Sequence, residues 1–129
     1  MDKILVKPLE KINDLNFGTD REEVRKYFGN NFKEFKKSKF SPNTTDAYDY
    51  FHIFYDENNK FEAIEIFDDV IVSIEGVTIF PNNIKILKEI SDDFKKQDYS
   101  YISKNKSIGV HAPNDKMESI LIAIEGYYI

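Results

Sequence analysis

The chain has 129 residues, enough for one compact domain of ordinary size and too few for two. With 41% hydrophobic and 32% charged residues it has globular composition, and no apolar run approaches the roughly 20 residues that span a bilayer. Eighteen Lys and Arg against 23 Asp and Glu give a net charge of −5, and the absence of Cys excludes disulfides, thiolate metal sites and Cys nucleophiles.

The opening residues, Met1 to Pro8, are too charged and too short in their apolar part for a secretory signal, so a cytoplasmic protein is expected. Lys3 to Val6 reads as a short strand or extended arm stopped by Pro8. Thr19 followed by Glu22 has capping-box spacing, Val24, Tyr27 and Phe28 share one helical face, and Gly29 is a natural stop, which predicts a helix near 19–28. Phe32 and Phe35 among lysines fit a second short helix or a loop, and Ser41-Pro42-Asn43 breaks the chain. Tyr48 to Phe67, rich in aromatics and Ile around Asp56-Glu57-Asn58-Asn59-Lys60, reads as a β-hairpin. Residues 70–80 read as a third strand. After Pro81, Ile84, Leu87, Ile90 and Phe94 recur at helical spacing and predict a second helix. A second hairpin follows, 107–112 with 117–124, turning at Pro113-Asn114-Asp115-Lys116.

The hairpins resemble each other. A shift of 56 residues matches Asn58, Lys60, Glu62, Ile64 and Ile66 with Asn114, Lys116, Glu118, Ile120 and Ile122, and Ile74-Glu75-Gly76 recurs as Ile124-Glu125-Gly126. Each hairpin has a predicted helix upstream. The expected fold is therefore a single α+β domain over 1–129: an antiparallel β-sheet built from two helix-then-hairpin units, about 17–80 and 81–129, with the helices packed against the sheet. If the first hairpin turns on Asn58-Asn59, Ile53 faces Ile64 and Phe51 faces Ile66 on the core side, with Tyr55 opposite Glu62. The other side then carries Tyr50 opposite Phe67, His52 opposite Glu65 and Phe54 opposite Ala63. That side is either covered by a helix or displayed as an aromatic and acidic surface.

Charge is unevenly spread along the chain. Residues 46–75 hold nine acids and one base, Lys60, whereas residues 21–39 hold seven bases and three acids. The two stretches either neutralise each other in the fold or leave an acidic face that steers a basic partner. The lysines between 33 and 39 are too few and too mixed with acid for nucleic-acid binding. His52 and His111 are the only histidines and are expected on opposite sheet faces, paired with Glu65 and Glu118, so they form no shared metal site. There is no Gly-rich phosphate loop after Phe17-Gly18-Thr19, and 56–67 fails as a calcium loop because Phe67 stands where a bidentate Glu is needed. No enzyme, cofactor or metal chemistry is expected.

Phe17-Gly18-Thr19-x-Arg21-Glu22-x-Val24-Arg25 closing on Phe28-Gly29, Phe61-Glu62-Ala63-Ile64-Glu65, Ser107-Ile108-Gly109-Val110 and Gly126-Tyr127-Tyr128 together resemble a group of small, largely uncharacterised bacterial cytosolic proteins, some similar to immunity proteins of polymorphic-toxin systems. The helix-then-sheet order also resembles the repeats of β-lactamase-inhibitor proteins and of small outer-membrane assembly lipoproteins, which are exported. These likenesses carry no catalytic residue. They imply a non-enzymatic protein-binding protein, an immunity-type inhibitor of a basic toxin domain. Its expected partner-binding residues are Asp46, Asp49, Tyr50, His52, Tyr55, Glu65, Phe67, Asp68 and Asp69. The alternative is a regulatory module binding a small ligand or peptide in a pocket of Tyr50, His52 and Phe54.

Overall fold

A computed structural model describes residues 3–36, 38–67 and 70–128. β1 (Lys3–Lys7) alternates exposed residues with buried Ile4 and Val6, and β2 (Lys11–Ile12) and β3 (Leu15–Asn16) fold back beside it. α1 (Arg21–Phe28) follows, with Asp20 at its N-cap. Thr19 does not cap it: its hydroxyl donates to the Asn16 carbonyl at 2.6 Å, closing the preceding turn. α1 stops at Gly29, whose φ of 93° a glycine adopts without strain. Then come β4 (Lys33–Phe35), β5 (Thr45–Ala47), β6 (Phe51–Tyr55), β7 (Phe61–Ile66), β8 (Ile71–Ile74) and β9 (Val77–Phe80).

The expected strand over 70–80 is thus two strands. Glu75 and Gly76 both take positive φ, 50° and 83°, the geometry that turns a tight hairpin. The expected second helix is a short 3₁₀ helix, Ile84–Glu89, capped by the Asn83 side chain, which accepts from the Lys85 amide. Ile84, Leu87 and Ile90 are spaced by three, which fits a three-residue turn as well as an α-turn. β10 (Lys95–Gln97), β11 (Ser100–Ser103), β12 (Ile108–His111) and β13 (Ser119–Ala123) complete the chain.

The protein is therefore mostly β: among the described residues, thirteen strands stand against one α-helix and one 3₁₀ helix. This overturns the expected α+β fold of helix-then-hairpin units. The large sheet has eight antiparallel strands in the order β10-β11-β12-β13-β7-β6-β5-β4, and the small one has five, β3-β2-β1-β8-β9, with β1 and β8 parallel. A single buried cluster joins Ile4, Ile12, Val72 and Ile79 of the small sheet to Ile53, Ile64, Ile66, Ile108, Ile120 and Ile122 of the large one. Much of the large sheet's inner face is covered by a second sheet where helices were expected.

Within the large sheet the first hairpin keeps the expected register, Phe51↔Ile66, His52↔Glu65, Ile53↔Ile64 and Phe54↔Ala63. An irregularity after Phe54 sets Tyr55 opposite Phe61 instead of Glu62. In the second hairpin the ladder sets His111 opposite Ser119, and its Nε2 lies 4.0 Å from a carboxylate oxygen of Glu118, the partner expected for it.

The hairpins meet along β7 and β13, where Ile64↔Ile122, Glu65↔Leu121 and Ile66↔Ile120 pair antiparallel. Glu65 and Leu121 stand opposite each other and are also 56 residues apart, so an approximate two-fold axis through that pair carries β4–β7 onto β10–β13. The correspondence extends outward: the Phe67 amide donates to the Tyr50 carbonyl and the Ala123 amide to the Ser107 carbonyl, each at 3.0 Å. Asp20 bridges Lys60 as Asn83 bridges Lys116, so each short helix begins against the turn of its own hairpin.

Ile122 is wholly buried at this junction. Ile122→Ala should lower the unfolding free energy by about 2–5 kcal/mol in urea titration, against a change within about 0.5 kcal/mol for exposed Thr78→Ala.

Candidate functional site

Strand alternation gives the large sheet an inner face turned to the core and an outer face turned away from it. Across β4 to β7 the outer face carries Phe35, Ala47, His52, Phe54, Ala63 and Glu65, with Tyr50 and Phe67 continuing the rows beyond the strand ends. The rings form a chain. His52 meets Phe35 edge-on at 5.2 Å between centroids and Phe67 at 4.8 Å. Phe35 is 39% exposed and Tyr50 42%, His52 and Phe67 are half-buried, and Phe54 is buried against Ala63, Ala123 and Tyr127. Burial holds the His52 imidazole below its ordinary pKa, opposed by the carboxylate of Glu65 on the neighbouring strand. No ion pair joins Glu65, Asp49 or Glu57 to another described residue.

The inner edge of the same strands is quite different. Asp46 is completely buried and accepts from three directions: Arg25 holds both its oxygens at 2.8 Å, Arg21 donates to Oδ1 at 2.8 Å, and the Tyr55 hydroxyl donates to Oδ2 at 3.0 Å. Arg21 and Arg25 are one helical turn apart on α1 and so share a face, while Asp46 pairs with Glu34 across β5 and β4. Thr44 joins the cluster, accepting from Arg21 at 2.7 Å and donating to Glu34 at 2.8 Å. The guanidiniums also lie over rings, Arg21 over Tyr55 and Arg25 over Phe32. Burial alone would push the Asp46 carboxyl up, but the hydrogen bonds from Arg25 and Arg21, the Arg21 charge and the Tyr55 hydroxyl together hold it below the usual carboxylate range. Burial, and then Asp46, push the Tyr55 phenol up. Every strong acceptor of this cluster is engaged by α1 or by its neighbours, and its work is to bolt the helix to the sheet.

The nine expected partner-binding residues therefore separate. Tyr50, His52, Glu65 and Phe67 come together on the outer face, and exposed Asp49 precedes Tyr50. Asp46 and Tyr55 point inward into the arginine cluster and do not reach that face. Asp68 and Asp69 lie outside the described residues. Phe35 was missed: its segment reads as a loop or helix, and only its alternation with charged Glu34 and Lys36 hints at a strand. The arginine cluster was missed as well, although Arg21 and Arg25 at helical spacing are its visible signature.

Among the described residues no group of three His, Asp or Glu converges to hold a metal ion, and no helix is long and apolar enough to cross a membrane. A depression of about 580 Å³ adjoins the ring chain at Phe67 and is otherwise lined by Phe80, Pro81, Asn114, Lys116, Met117 and Glu118, without Tyr50, His52 or Phe54. No family model, curated protein or solved structure matches the chain.

Because the folded Asp46 carboxyl lies below its unfolded value of about 3.9, the cluster stabilises fully above that pH and its contribution is lost as pH falls through the folded value. Asp46→Asn should cost about 3–5 kcal/mol near neutrality by leaving two guanidiniums without their shared anion. Urea titrations between about pH 6 and pH 2 should also show a shallower acid limb for this variant than for the parent chain.

Proposed function

We propose that this is a cytosolic, non-enzymatic binding protein of the immunity type, which neutralises a basic toxin domain by holding it against the outer face of β4–β7. The ring chain Phe35–His52–Phe67 with Tyr50 is the observation that carries the reading. Large aromatic side chains half-exposed on rigid strands are the anchors that tight interfaces use, since they bury much apolar area at little entropic cost. Glu65 within the patch and Asp49 beside it favour a partner bearing Lys or Arg, which takes both carboxylate and ring contacts. The resemblance to immunity proteins supports the same reading.

The acidic stretch contributes less than its composition implied. Asp46 is neutralised internally, and Asp56 accepts from the amides of Asn58 and Lys60 in its own turn. Steering by this protein therefore rests on Asp49, Glu57, Glu65 and their exposed neighbours. A second reading, a module binding a small ligand, has the depression beside Phe67 in its favour, because its volume is in the range of ligand sites.

The experiment pairs the full chain with whichever toxin domain its gene neighbourhood encodes and measures affinity by calorimetry. Phe67→Ala and Glu65→Lys should each weaken binding at least about tenfold, the second steeply salt-dependent. Unchanged affinity in both variants, or failure to bind the neighbouring domain at all, contradicts the proposal.

A further inference from the structure

The two-fold correspondence within the large sheet exposes a difference between its halves. Carried from β4–β7 onto β10–β13, Phe35, Tyr50, His52, Phe54 and Phe67 fall on Gln97, Ser107, Gly109, His111 and Ala123. Four of the five rings have become small or ringless residues. The outer face of the second half is therefore hollowed where the first half is filled.

Residues 124–128 fold back over this hollow and over the adjoining Phe54 and Ala63 of β6 and β7. Tyr127 packs on Phe54, Ala63 and Ala123, with Leu121 beside it. Tyr128 lies directly on Gly109: a Cβ built there would stand 2.2 Å from its hydroxyl oxygen and 2.9 Å from Cζ, so only glycine leaves room for the ring. The two tyrosines meet edge to face at 5.3 Å, and Tyr128 is near enough to Glu65 to sense its charge. The backbone adds little. Ile124 donates to the Glu62 carbonyl, Tyr127 donates back to Ile124 within its own turn, and no ladder bond seats the rest of the arm among the described residues.

We infer that the outer face where β12 and β13 adjoin β7 and β6 is a receptor for tyrosyl side chains, occupied in cis by the arm 124–128, which acts as a releasable strap. Two rings in a hollow shaped by Gly109 and Ala123 hold the arm down. Release breaks ring contacts and almost no strand pairing, so opening is local. While the strap is seated, Tyr127 covers Phe54, Ala63 and Ala123 and Tyr128 covers Gly109; when it lifts, these residues and Leu121 are uncovered. The inference stands independently of the proposed partner, because its test requires none.

The chain has no cysteine, so a single introduced thiol reports opening cleanly. Ala123→Cys places it wholly buried beneath the arm, and Ala112→Cys in the main core serves as the control. Iodoacetamide should alkylate Cys at 123 slowly in the otherwise unchanged full chain. It should react at least about tenfold faster when Gly109→Ala or the pair Tyr127→Ala and Tyr128→Ala is added, with Cys at 112 still protected. Added 4-methylphenol, the tyrosine side chain alone, should slow alkylation again in the double tyrosine variant, and should not once Gly109→Ala is also present. Unchanged alkylation at 123 in both variants overturns the inference, as does equal acceleration at 112 or a failure of 4-methylphenol to protect.

Discussion

The pairing of β7 with β13 fixes nearly everything else about this molecule. It joins two four-stranded ladders into one eight-stranded sheet, and its register puts Ile64, Ile66, Ile120 and Ile122 together on the core side. Side chains alternate along a strand, so a slip of one residue would move these four isoleucines outward and Glu65 inward. Burying a carboxylate among isoleucines while exposing four of them is unfavourable twice over. The isoleucines therefore hold the register, and the register dictates which rings reach the outer face.

Charge is organised by the same separation of faces. Asp46 belongs by composition to an acidic stretch and by geometry to a buried cluster with Arg21, Arg25, Tyr55, Thr44 and Glu34. Removing either side of such a cluster leaves an uncompensated charge in a poorly solvated place, which is why it fixes α1 against β4–β6 so firmly. The carboxylates left for a partner are those on turns and on the outer face. Linear excess of one sign along the chain thus overstates the field the folded protein presents.

Much of the local structure was legible in the sequence. The first hairpin's register follows from its aromatic and Ile alternation around Asn58-Asn59, α1 is ended by Gly29, and the 56-residue offset between Ile64 and Ile120 reappears as the two-fold through Glu65 and Leu121. What was not legible is non-local. Nothing in Lys3–Lys7 announces a parallel partner at Ile71–Ile74, so the small sheet, and with it the mostly β character, went unseen. Ile84, Leu87 and Ile90 fit two helical periods, and the chain adopts the shorter one. Asp46 and Glu65 look alike as residues of an acidic run, and only side-chain direction decides that one faces arginines and the other the outer face. Gly109 reads as an ordinary strand glycine until Tyr128 is found resting on it.

The most direct test of the account is the register of β7 against β13, read by nuclear Overhauser contacts across the two strands in the full chain. Contacts joining Ile64 to Ile122, Glu65 to Leu121 and Ile66 to Ile120 are the predicted result. Contacts displaced by one residue, or none between these strands, would turn the rings to the other face and contradict it.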